Sequence, residues 1–141
     1  TLCGGAGATD RAPGASAVHT HMTNSRLTDP EILERRFAVR LETFAIRRGS
    51  GGDGRRPGGD GLWRRLRFLG PTQAALLSTR RLTRPQGAAG GGAGAAGHQR
   101  LISASGEAKD LAGCFSIWAA EGEVIEILTP GGGGYGAVTD R

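Results

Sequence analysis

Residues 19–31, His-Thr-His-Met-Thr-Asn-Ser-Arg-Leu-Thr-Asp-Pro-Glu, form the densest group of reactive side chains in this sequence. They hold two of its three histidines. They also hold its only Asn, an Arg, four hydroxyls and two carboxylates. His19 and His21 are two apart, so on a strand they would share a face and could ligate one metal ion. Spacing indicates no third ligand, and the metal question stays open. The pair could equally do acid–base work near neutral pH, or make structural hydrogen bonds. Asn24 could donate an amide N–H to a developing oxyanion, and Arg26 could clamp a carboxylate. Both could instead fasten the loop to nearby backbone.

The second half of the stretch predicts a short helix from Pro30 to about Arg36. Thr28 or Asp29 can cap it, Pro30 has the fixed φ of a first turn, and Glu31 would complete a capping box with Thr28. Odd positions 37, 39 and 41 are apolar, then even positions 44 and 46. That predicts a strand with a β-bulge between residues 42 and 43. Residues 62–69 predict a strand with Leu62, Leu66 and Phe68 on one face and Trp63, Arg65 and Arg67 on the other. Residues 73–81 predict another strand, Ser105-Gly106 a hairpin turn, and Glu121-Gly122 a turn between apolar strands.

Glycine is 26 of the 141 residues and lies mostly in blocks. Residues 49–61 hold seven of them and predict a long turn. Residues 85–98 predict an irregular loop, and residues 1–18 a flexible lead-in or an anion-receiving backbone nest. In the terminal block Gly131, Gly132, Gly133 and Gly134 could bring backbone N–H groups close to a ligand or another chain. They lack the Gly-Lys-Ser/Thr and following helix of a phosphate-binding loop. The fold class expected is mainly β, an antiparallel sandwich or barrel-like layer with one short capped helix and long glycine-rich loops.

The formal charge is +5, and Lys109 is the only one of 18 basic residues that is not Arg. This suits a solvated or subunit-facing surface, or an anionic partner. No aromatic signature interleaves with the Arg residues, so nucleic acid is not the expected partner. No apolar run approaches the roughly 20 residues of a membrane span, and no signal-peptide pattern is present. Cys3 and Cys114 show neither metal-ligand spacing nor a disulfide framework, and a reduced cytoplasmic protein is expected. Cys114, beside Phe115, reads as a small core residue rather than a nucleophile. The first residue is Thr, and together with the low apolar content of 38% it suggests a piece of a longer α/β chain.

The run His21-Met22-Thr23-Asn24-Ser25-Arg26-Leu27-Thr28-Asp29-Pro30-Glu31 resembles a signature near the C-terminal end of the hydantoinase B/5-oxoprolinase family. Three further blocks resemble that family in the same order. They are Leu2-Cys3-Gly4-Gly5-Ala6-Gly7-Ala8, then Arg47-Arg48-Gly49-Ser50-Gly51-Gly52 with Gly58-Gly59-Asp60-Gly61, then Thr129-Pro130-Gly131-Gly132-Gly133-Gly134-Tyr135-Gly136. The chain departs from the family at Ala38 and Ala93, each at a usual Pro, and at Cys114, at a frequent Lys.

The resemblance implies the C-terminal part of a B domain. Residues 1–18 would be a lead-in, 19–36 the signature loop and helix, 37–129 a β-rich body and 130–141 a glycine-rich tail. It implies an ATP-dependent opening of 5-oxoproline to glutamate, or of a hydantoin ring. His19, His21, Asn24 and Arg26 would be catalytic; Arg48, Gly51, Gly52 and residues 131–134 would bind substrate or an anion. ATP and Mg would be bound by another domain or subunit, a hydantoinase A-like partner in an oligomer, with nothing bound by this stretch alone. An acetone carboxylase-type subunit and a non-catalytic scaffold are the alternatives.

Overall fold

The computed structural model describes residues 1–20, 23 and 25–138. One helix, α1 (Pro30–Arg36), precedes seven strands. These are β1 (Val39–Arg47), β2 (Gly61–Phe68), β3 (Thr72–Leu77), β4 (His98–Ile102), β5 (Ala108–Asp110), β6 (Cys114–Ala119) and β7 (Val124–Leu128). The helix starts where Pro30 predicts, and Asp29 caps it by accepting from Glu31 N at 2.9 Å. Asp29 takes the cap that a box with Thr28 would have needed. Glu34 accepts from Leu41 N at 2.7 Å and ties the helix to β1.

Five strands form an antiparallel sheet in the order β1-β2-β7-β4-β5, and β3 and β6 pair as a second, smaller sheet. Neither sheet closes into a barrel. The apolar faces meet around Val39, Phe68, Ala119, Ile125 and Ile127, with Ala74, Leu76, Phe115 and Ile117 of the small sheet packed on them. The bulge falls between Leu41 and Thr43 as the change of apolar parity predicts. The Gly122 turn, at φ +84°, joins strands of different sheets: β6 pairs with β3, whereas β7 pairs with β2 and β4. β7 is therefore central, and even its Glu126 is 3% exposed, held by Trp63 Nε1 at 3.0 Å and Arg100 Nε at 2.5 Å.

The glycine blocks carry no helix or strand, as expected, but they pack backbone against backbone, with residues 130–136 in the middle. Pro130 O accepts from Gly5 N, Gly132 O from Gly52 N, Gly133 O from Ala8 N and Gly134 O from Ala88 N, all at 2.8–3.0 Å. In the other direction Gly131, Gly132 and Gly134 donate to Ala95, Gly59 and Gly92. A methyl group on Gly131 would strike the Ser50 carbonyl, on Gly132 the Ala6 carbonyl, on Gly133 the Gln86 carbonyl, and on Gly134 the Asp53 carbonyl. The facing neighbour thus repeats every three residues. That is the period of a polyproline II-type helix, and three such chains can surround a fourth only where side chains are missing. Buried peptide groups are satisfied here without a sheet.

The Arg excess acquires a structural use in this setting. Arg47 donates to Ala96 O at 2.8 Å and Thr129 O at 3.0 Å, Arg84 to Ala93 and Gly94 O, and Arg56 to Asp10 O. A guanidinium, with its fork of donors, suits carbonyls at segment ends.

Gly132→Ala is expected to destabilise the protein by about 3 kcal/mol or more, because a backbone must move to admit the methyl. Gly7→Ala, whose methyl would sit 3.8 Å from Gly133 O, is expected to stay within about 0.5 kcal/mol. Urea-unfolding midpoints of the two variants check this; equal losses would contradict the packing argument.

Candidate functional site

The N-terminal segment, the signature loop and the edge where the two sheets meet border an open cavity of about 770 Å³. Thr23 and Leu27 of the signature reach its wall, beside Leu2, Leu76 and Ile127. Two guanidiniums, of Arg64 and Arg81, also line it, and no carboxylate does among the described residues.

Arg64 arises from strand periodicity. It lies between Leu62 and Leu66 on the inward face of β2, opposite Phe44 on β1 and Ile127 on β7. It is 8% exposed, and its Nε has no hydrogen-bond partner. Its guanidinium carbon stands 5.9 Å from the Phe44 ring centroid, a weak cation–π contact. Arg81 is half-buried; its Nε donates to Gln99 Oε1 at 2.5 Å and its Nη1 to Thr79 O at 2.7 Å. Gln99, 2% exposed, is held in turn by donating to Leu111 and Ala112 carbonyls. Burial pushes both guanidinium pKa values down, and for Arg81 the positive charge of Arg47 adds to the effect.

The expected site residues are dispersed relative to this cavity. His19 lies half-buried just after the Val18–Gly4 bridge, and its Nδ1 has no partner among the described residues. His21 and Asn24 lie outside the described residues, so the His19–His21 geometry does too. Arg26 is exposed, and so is Arg48, on the turn after β1. Gly51 N donates to Asp60 Oδ1 at 2.8 Å, while Gly52 is buried and donates to Gly132 O. Residues 131–134 are all buried among neighbouring backbones, which gives them a packing role. Cys114 is exposed at the mouth of the cavity, with Sγ 3.8 Å from Ser78 O, and is not the core residue its apolar neighbours suggested. Cys3 is half-buried on the same wall, and burial raises its thiol pKa.

Arg64 and Arg81 were missed by the sequence reading. For Arg64 the signal was present, since alternation puts position 64 on the same face as Leu62, Leu66 and Phe68. For Arg81 there was none, because its partner Gln99 comes from a distant strand.

A model of the hydantoinase B/oxoprolinase family matches residues 1–138. 5-Oxoprolinase 1 of Arabidopsis thaliana is 44% identical over 137 residues, covering 97% of this chain and 11% of that protein. The 5-oxoprolinase of Dictyostelium discoideum is 42% identical over 136 residues, covering 96% of this chain and 11% of that protein. The ATP-dependent caprolactamase of Pseudomonas jessenii superposes with a TM-score of 0.79 at 23% identity, over 96% of this chain and 24% of that one. The β body with its glycine-packed flank thus shares the fold of one part of that protein. The chain belongs to the hydantoinase B/oxoprolinase family, and it spans about 11% of the length of the curated relatives just described.

Asp60 fixes the turn that carries Arg48. It accepts from Ser50 N and Gly51 N, both at 2.8 Å, and from the Ser50 hydroxyl. Burial opposes its ionisation, yet the hydrogen bonds from Gly51, Ser50 and Gly49 prevail and hold its pKa below the ordinary 3.8. The depressed value means that this stabilisation is present above the unfolded pKa and is lost as pH falls through the folded one. Asp60→Ala is expected to cost about 2–3 kcal/mol at pH 7, with the difference from wild type shrinking below about pH 4. Denaturant unfolding of both proteins across pH 2–7 checks the size and the sign together.

Proposed function

We propose that this chain is the C-terminal part of the B portion of an ATP-dependent cyclic amide hydrolase that opens 5-oxoproline to glutamate, or a hydantoin ring. The observation that carries the reading is the 44% identity to a 5-oxoprolinase across 97% of the chain. Amide resonance makes a five-membered lactam a poor electrophile, and activating its oxygen with ATP would create a leaving group. The signature loop would then serve the hydrolytic half of the reaction. In this reading Asn24 donates to the oxyanion, His19 and His21 move protons, and Arg26 and Arg48 hold negative charge near the ring.

Among the described residues, the terminal glycine run does not fit a phosphate-binding loop. The amides of Gly131, Gly132 and Gly134 are committed to neighbouring carbonyls, and no helix follows them among the described residues. Among those residues no three His, Cys, Asp or Glu side chains stand together as a metal-binding group. The proposal therefore assigns ATP and Mg to a hydantoinase A-like domain or subunit, in an oligomeric and cytoplasmic enzyme.

The full-length protein, with its A part, is expected to release glutamate from 5-oxoproline only when ATP is supplied. Asn24→Ala is expected to cut that turnover at least about tenfold. Amino-acid analysis of the reaction gives the answer. ATP-independent or absent ring opening, with both 5-oxoproline and hydantoin, sinks the proposal, and unchanged turnover of the variant sinks the role of Asn24.

A further inference from the structure

In the packing just described Arg64 makes only a weak cation–π contact, with Phe44. A charged group taken from water is costly unless it is paired, and replacing such a group by an apolar one is often neutral or stabilising. Yet the inward face of β2 keeps an Arg at 8% exposure, and among the described residues its Nε has no partner and no carboxylate lines the cavity. Arg81 brings a second guanidinium to the same cavity, oriented by Gln99. The rest of the lining is mostly apolar, with hydroxyls at Thr1, Thr23, Ser78, Thr79 and Thr129. A cavity of about 770 Å³ is within the range of sites that enclose a small molecule, and such sites pair apolar walls with a few placed polar groups.

We propose that this cavity is a carboxylate-binding subsite in which Arg64, assisted by Arg81, receives the carboxylate of a small ring-amide ligand. The ligand's apolar ring lies against Leu2, Leu76 and Ile127, and its carboxylate supplies the negative charge that the cavity lacks. Arg is the residue suited to this, because its planar fork matches a carboxylate with two parallel hydrogen bonds. Contact of Thr23 and Leu27 with the same space connects the subsite to the signature loop. The ring-amide identity of the ligand rests on the proposed function; the carboxylate requirement rests on Arg64 and Arg81.

The test is calorimetric titration of the full-length protein with 5-oxoproline and, separately, with 2-pyrrolidone, the same ring without the carboxylate. Wild type, Arg64→Lys and Arg64→Met are compared, and each is also melted without ligand. The subsite predicts that Arg64→Met weakens 5-oxoproline binding at least tenfold and leaves 2-pyrrolidone binding and the unliganded melting temperature unchanged. Arg64→Lys should retain part of the affinity. Failure of the wild type to bind 5-oxoproline, or equal binding by wild type and Arg64→Met, overturns the subsite. So does a lowered melting temperature with unaltered binding, which would mean that Arg64 is paired by a carboxylate elsewhere in the longer protein. Arg64-dependent binding of 5-oxoproline without its hydrolysis would uphold the subsite while removing the proposed activity. Hydrolysis of neutral rings alone would do the reverse.

Discussion

Four stretches of backbone lie closer together in this protein than side chains allow, and everything else is placed by that contact. Residues 130–136 run through the middle, touching the N-terminal segment, the stretch after β1 and the stretch before β4 in turn. No apolar burial of the usual kind holds them. Their cohesion comes from peptide hydrogen bonds that saturate each other in several directions, and from guanidiniums that take up the carbonyls at the margins. The sheet supplies the ends: β1 feeds one segment, β2 starts where that segment finishes, and β7 runs straight into the central one. A small β body of this kind has little apolar core of its own, so the glycine flank is a structural layer in its own right.

The cavity follows from the same geometry. Residues 1–4 are drawn against Pro130 by the Gly5–Pro130 hydrogen bond and so form a wall over the inward face of β2 and β7. The glycine packing thereby helps to shape the cavity that Arg64 lines. It does so on the side of the molecule to which the signature loop contributes Thr23 and Leu27.

Much of the β body was legible in the sequence because it is governed by local rules. The change of apolar parity at residues 42–43 announced the bulge, Asp29-Pro30 announced the helix start, and the faces of β2 were set by alternation. The pairing of β6 with β3 rather than β7 was not legible, since a Gly-containing turn has the same appearance whether or not it closes a hairpin. The mutual packing of the glycine segments was the larger miss. Their order is wholly non-local: each looks like a loop alone, and only the other three show why side chains must be missing. At the site, the chemistry-rich signature drew attention to itself, whereas Arg64 was hidden within a strand by neighbours that looked conventional.

A run of four glycines is its own address. With three residues per turn, sliding the central segment by one turn, about 9 Å, would keep the same neighbours facing it but carry Thr129 or Tyr135 into the place of Gly132, where a side chain strikes the Ala6 carbonyl. A handful of fixed points at its margins also resist the slip. Asp60 pins Ser50 and Gly51, the Thr129 hydroxyl accepts from Leu62 N at 2.6 Å, and Arg47 spans Ala96 and Thr129. These few polar side chains act as the notches of a vernier, and the alignment of the whole flank, and of the cavity wall attached to it, is read from them.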